Sequence, residues 1–346
     1  MVLLFAAVSL SVASALAEKP QTPLEEPIAT TVTALAVDFD REDPTRKIFG
    51  KLTFRGGLNL FAKSGHFGGF SGLIIDPSGE GILAVSDAGT WMRASLDYDG
   101  RKLKGLRDVL LGPLLGAKGK PLHDEADRDS EAIALIDGDT RRGAAYVSFE
   151  RKHRIARYPF TPERFGPPSG TLPLPAGAKA LLANRGIEAM TVLRAGKLKG
   201  SVLAFSEGRV DKNGNVLGWL IGGPASGGIF LKQIGGFDIT DAAPLPDGGV
   251  VLLERRFRYS EGVKMRIRRI AASEIKRGAV IKGEVLLEAD DRLNIDNMEA
   301  VAAHRAASGE TILTLMSDDN FSPFQRTLIM QFALPEASPA VAVPRG

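Results

Sequence analysis

The sequence predicts an all-β fold: a single β-propeller of five four-stranded units, with room for a degenerate sixth, its ring closed by an N-terminal strand. Three observations carry this expectation. Three stretches begin on a glutamate and reach a second acid 19 residues later: Glu131 and Glu150, Glu188 and Glu207, Glu299 and Asp318. The middle of each falls on a turn, at 138–143, 196–200 and 308–309, so an antiparallel hairpin makes each pair cross-strand neighbours at its open end. Looser copies pair Ser71 with Asp87 and Asp241 with Glu254. The unit starts at 71, 131, 188, 241 and 299 are 60, 57, 53 and 58 residues apart, a spacing that suits a four-stranded blade. Finally, 39 glycines and 20 prolines in 346 residues supply the turns that such a fold needs.

Residues 1–17 are apolar and end in Ala15-Leu16-Ala17, the pattern of a cleaved signal peptide, although the usual basic start is missing. Residues 18–30 are rich in proline and glutamate and read as a linker, 31–336 as the propeller, and 337–346 as a flexible tail. Unit one is expected over 70–111, unit two over 131–160 with a proline-rich outer segment, unit three over 188–234 and unit four over 239–288. Unit five, from 298 to 334, has only three strands of its own. The run 51–62 is its expected fourth, since an N-terminal strand laid on the last blade closes the ring and removes an exposed edge. The run 31–39 is the candidate start of a sixth unit, and 273–276 gives at most one turn of helix.

Bulk composition narrows the function. Hydrophobic residues at 44% and charged residues at 25% are those of a water-soluble globular chain. A net charge of +3, with no continuous basic block, argues against nucleic-acid binding. The absence of cysteine excludes disulfides and thiolate catalysis, and four histidines without HxH or HxxxH spacing argue against a histidine zinc site. Beyond residue 17 nothing is apolar enough to span a bilayer. A periplasmic or secreted monomer is expected.

In a propeller the first strand of each blade lines the central channel, so equivalent strand starts converge at one mouth. Asp87, Glu131, Glu188, Glu299 and Asp318 are therefore candidate metal ligands, and Arg151, Arg185, Arg255 and Arg326 candidate contacts to an anionic or ester substrate. Crowded carboxylates repel and need a cation or guanidinium groups between them. An all-oxygen donor set suits Ca²⁺ best among divalent cations. The alternative is that acid–arginine pairs lock neighbouring blades together. The alternation Asp127, Asp129, Glu131 resembles the opening of a calcium loop, though Ala132 stands where an EF-hand needs glycine. No G-x-S-x-G nucleophile motif and no phosphate-binding glycine loop occur.

The segments Phe67-Gly68-Gly69-Phe70-Ser71-Gly72, Ser86-Asp87-Ala88-Gly89-Thr90-Trp91, Asp129-Ser130-Glu131-Ala132, Asn184-Arg185-Gly186-Ile187-Glu188-Ala189, Asn297-Met298-Glu299-Ala300 and Ser317-Asp318-Asp319-Asn320-Phe321 come in an order that resembles the bacterial phytase-like family, also called esterase-like activity of phytase. Gln325-Arg326-Thr327-Leu328 extends the match, which covers about residues 50–334. The resemblance implies an exported propeller that hydrolyses phosphate or carboxylic esters, with calcium in an acidic channel mouth. It transfers no catalytic role to an individual residue. Without such a role, a non-catalytic periplasmic propeller that binds a ligand or partner stands as the second expectation.

Overall fold

In the computed structural model, residues 22–335 are described, except 180, 183 and 184. The expected signal peptide (1–17) and flexible tail (337–346) lie outside the described residues. Five sheets, antiparallel but for one short added strand, are arranged as the blades of a propeller. Their innermost strands are Phe70–Ile75, Ser130–Gly138, Ile187–Val192, Asp238–Pro244 and Met298–Arg305, in blades one to five.

Each blade then runs outward by short hairpins. In blade one the order is Phe70–Ile75, Gly81–Ser86, Thr90–Asp99, Lys102–Pro113, every neighbour antiparallel. Blade five has three consecutive strands, and Leu52–Ala62 pairs with its third, Thr327–Leu334. The N-terminal closure expected from the sequence is thus formed. Val32–Val37 does not begin a sixth blade. It adds to the outer edge of Leu52–Ala62, because its alternating exposure suits a strand covered on only one face.

Two further segments differ from expectation. The stretch read as a linker to residue 30 ends as a strand, Ile28–Thr30, on the outer edge of blade one. The outer strand of blade four is Glu284–Asp290, while Val280–Ile281 crosses to pair in parallel with Gly227–Lys232 of blade three. Both additions cap edges that would otherwise present open hydrogen-bonding groups.

The core is divided among the seams between blades. Ile74, Val85 and Trp91 of blade one meet Ile133, Val147 and Tyr158 of blade two. Equivalent apolar clusters fill the seams two–three, three–four, four–five and five–one. Trp91 is fully buried, and its Nε1 donates to Pro113 O at 3.1 Å. Burial of an indole with its one donor satisfied marks Trp91 as seam packing. Blades held face to face in this way fix their inner strands around one axis.

Candidate functional site

A β-bulge recurs at the same place in every blade. The innermost strand carries one extra residue against its partner at Ser71, Glu131, Glu188, Thr240 and Glu299. A bulge frees one residue from the ladder and re-aims its side chain. Here the five freed side chains line one cavity of about 320 Å³ at the channel mouth. The second strands supply the residue opposite: Asp87, Glu150, Glu207, Arg255 and Asp318, which line the same cavity. Four of these are fixed by one repeated bond. The amides of Asp87, Glu150, Glu207 and Asp318 donate to the carbonyls of Gly69, Asp129, Gly186 and Asn297 at 2.8–3.2 Å.

The bulges correct the register of unit four. Thr240, not Asp241, takes the mouth position, and Arg255, paired with Asp238, takes the second-strand position beside it in place of Glu254. Asp241 points below the mouth, where its carboxylate accepts from Ala242 N at 2.7 Å and Val301 N at 2.8 Å. It also accepts from the backbone of Leu73, in blade one. Inner strands leave amides facing the channel, and Asp241 satisfies amides from three blades at once. Glu254 is buried between Arg266 and Arg268, the latter hydrogen-bonded to it. That is a lock inside blade four.

The mouth therefore gathers Asp87, Asp129, Glu131, Glu150, Glu188, Glu207, Glu299 and Asp318, with Arg151 and Arg255 among them. All five acids expected as metal ligands line this cavity. Burial, then repulsion from Glu188, drives the Glu131 carboxyl well above its usual range. Glu188 is raised by burial and by Glu207, and Asp318 by burial and by Asp87. Glu299 is pushed up to about 7 by burial, against the pull of Arg255. The cluster is short of positive charge.

The tightest group is Asp129, Glu131 and Glu150, which offer one carboxylate oxygen each, all within 4.8 Å of one another. Two oxygens on opposite sides of a Ca²⁺ with bonds of about 2.4 Å would be separated by about the same distance. The spacing and the all-oxygen chemistry fit a hard divalent cation. Glu150 was not among the metal candidates taken from the sequence, and Asp129 entered only through its resemblance to a calcium loop. The alternation 127, 129, 131 was the available signal, and the structure divides it. Asp127 turns out to Lys152 at 2.7 Å, while Asp129 is 2% exposed at the mouth.

The four arginines fare differently. Arg151 bridges Asp129 at 2.6 Å and Glu125 at 2.8 Å from a left-handed backbone, φ 54°. Held this way, it closes the hairpin back over the mouth, at a conformational cost for a residue with a Cβ. Arg255 lies 3.1 Å from Glu299. Arg185 is exposed and stands over Gly208, close enough to pull down the raised carboxyls of Glu207 and Asp238. Arg326 turns to Asp296 at 3.1 Å and to the carbonyl of Ile295 at 2.8 Å, and does not line the cavity.

Gly186 shows how closely the blades approach here. A Cβ at this position would lie 2.8 Å from Glu150 Cβ, so only glycine lets Glu150 nest against blade three. Its amide donates to Glu188 Oε1 at 3.1 Å and orients that carboxylate.

A five-bladed propeller whose axial mouth is a ring of carboxylates defines the class. The chain belongs to the phytase-like family described as esterase-like activity of phytase, whose profile matches residues 65–321. No curated protein sequence matches it. Among solved structures it is similar to the Dos1 propeller, at 13% identity and TM-score 0.34, covering 73% of this chain and 54% of that one. It is also similar to the β-propeller domain of Cps50 (Swd1) from Myceliophteria thermophila, at 9% identity and TM-score 0.37, covering 88% and 99%. This chain thus spans about half of the Dos1 chain. Among the described residues no helix is long and apolar enough to cross a membrane.

Proposed function

We propose that the protein is an exported hydrolase of phosphate or carboxylic esters that depends on a divalent cation, Ca²⁺ foremost, held at the axial mouth. The observation that carries this reading is the Asp129–Glu131–Glu150 group, three carboxylate oxygens gathered within 4.8 Å in a cavity short of positive charge. Membership of a family described by esterase-like activity supports the hydrolytic half. A cation held there supplies Lewis-acid polarisation of an ester oxygen.

The chain's own residues supply the rest. Glu188, Glu299, Asp87 and Asp318 line the same cavity and add to its negative wall. Arg151 and Arg255 line the same cavity and offer guanidinium donors to an anionic ester, with Arg185 at its rim. In the cation-free protein Glu299, at about 7, takes up and releases a proton near neutral pH.

The test is a hydrolysis screen of purified protein with phosphomonoesters, carboxylic esters and lactones, in Ca²⁺ and in EDTA. Turnover that disappears in EDTA and in Glu131→Gln is expected. Turnover unchanged by chelation refutes the cation. No turnover with any ester, alongside retained Ca²⁺ binding, favours the ligand-binding propeller instead.

A further inference from the structure

Three arginines among the described residues are buried: Arg128, Arg266 and Arg268. The last two engage Glu254 in blade four and the backbone carbonyls of Ile234 and Lys232. Arg128 is different. It ends the short helix Glu125–Arg128, is 5% exposed, and its Nε and Nη1 have no hydrogen-bond partner among the described residues. Its stem packs on the turn of blade one, where a Cβ at Gly89 would stand 2.5 Å from Arg128 Cβ.

Two more buried polar atoms without a partner stand on residues linked to Arg128, Thr90 through Gly89 and His66 through the Arg128 charge. Thr90, 1% exposed, follows Gly89 in that turn, and its Oγ1 has no partner. His66 Nδ1 is likewise buried and unpartnered, and the Arg128 charge adds to burial in holding that imidazole below its usual range. Unmade hydrogen bonds on buried donors are costly, and most on a charged one. A guanidinium only donates, and a hydroxyl and a neutral imidazole can each donate as well. An acceptor with negative charge is the kind of group that each of the three can bond.

The position adds meaning. Arg128 directly precedes Asp129 of the carboxylate triad, and the turn that Thr90 ends begins at Asp87, which lines the mouth. We propose that Arg128, with Thr90 and His66, forms an oxyanion seat on the seam of blades one and two. It takes the phosphoryl or carboxylate group of an anionic ligand beside the acidic mouth. This deepens the hydrolase reading by naming the charged half of its substrate, yet its test reads binding and not turnover.

The experiment uses the full chain and titrates methylphosphonate, and separately acetate, by calorimetry, each in EDTA and in Ca²⁺. Wild type is expected to bind at least one of the two, and Arg128→Met to bind it at least tenfold more weakly. In the absence of anion, Arg128→Met is expected to melt no lower than wild type, because an unsatisfied buried charge has been removed. Should that variant fold poorly, Thr90→Val and His66→Ala decide the matter, each with several-fold weaker binding. Preference for methylphosphonate assigns the seat to phosphoryl groups, and preference for acetate assigns it to carboxylates. The proposal is overturned if neither anion binds wild type in either buffer, or if the variants bind as wild type does.

Discussion

The guanidinium of Arg255 lies 3.1 Å from the Glu299 carboxylate, across the seam of blades four and five. Arg255 occupies the one position opposite a bulge where the other four blades place an acid. Its own pKa is raised, chiefly by Glu299 and further by Glu207 and Asp318. One blade thus supplies an internal counter-charge to a mouth built by the other four. Arg255→Gln should therefore destabilise the cation-free protein at pH 8 by about 1–3 kcal/mol, allowing for partial exposure of the pair. Urea unfolding in EDTA measures this, and the loss should shrink at pH 5, where Glu299, its partner, is protonated. A variant more stable than wild type at pH 8 contradicts the assignment.

The raised Glu299 carboxyl gives a pH dependence with a definite sign. Its folded value, about 7, lies above the ordinary carboxyl value of 4.5, so between these pH values the folded state binds more protons than the unfolded one. Stability from this group is fully present below about pH 4.5 and is lost as pH rises through about 7. The span corresponds to about 3 kcal/mol for this residue, and Glu131, Glu188 and Asp318 shift in the same direction. Cation-free protein should melt higher at pH 5.5 than at pH 8, and saturating Ca²⁺ should narrow or reverse the gap. Scanning calorimetry in EDTA and in Ca²⁺ checks both statements.

Asp241 should behave as a structural residue, not as a member of the mouth. Its carboxylate accepts backbone hydrogen bonds from Ala242, Val301 and Leu73, joining blades four, five and one around the channel. Asp241→Ala leaves those amides unsatisfied and should cost about 2–4 kcal/mol. Asp241→Asn keeps acceptor capacity and should cost less. Calcium affinity should be unchanged in Asp241→Asn, and a tenfold loss would place this residue in the site.

Removing residues 22–62 tests the ring closure. Leu52–Ala62 covers the edge of Thr327–Leu334, and Leu58 and Leu60 join the seam between blades five and one. The truncated chain exposes that strand edge and an apolar seam, so it should aggregate or pair edge to edge. Size-exclusion chromatography of the truncated chain is the check. A soluble monomer with the wild-type melting temperature contradicts the closure.

The ring was legible in the sequence because a propeller repeats one hairpin, and the Glu131, Glu188 and Glu299 repeats kept both spacing and residue type. Blade four was misregistered for a physical reason. Thr240 and Arg255 keep the backbone geometry of the repeat but not its charge, whereas Asp241 and Glu254, one residue away on each strand, kept the charge. A bulge exchanges which neighbour faces the channel, and no propensity marks where it falls. Asp129 was visible within the alternating run 127, 129, 131 but not separable there from Asp127, since the two differ in burial and not in type. Arg326 resembled a ligand-binding residue by proximity, but the carbonyl and carboxylate of the 294–296 segment claim its guanidinium. The Arg128 niche depends on buried guanidinium nitrogens, Nε and Nη1, left without acceptors among the described residues, a property that no one-dimensional pattern carries.

The most direct test of the account is a calorimetric Ca²⁺ titration of chelator-stripped protein at pH 7.5, wild type against Glu131→Gln and Glu150→Gln. The account predicts at least one ion bound per wild-type chain and an affinity at least tenfold lower in each variant. Stripped wild type that takes up no Ca²⁺, or variants that take it up unchanged, would contradict a cation at the mouth.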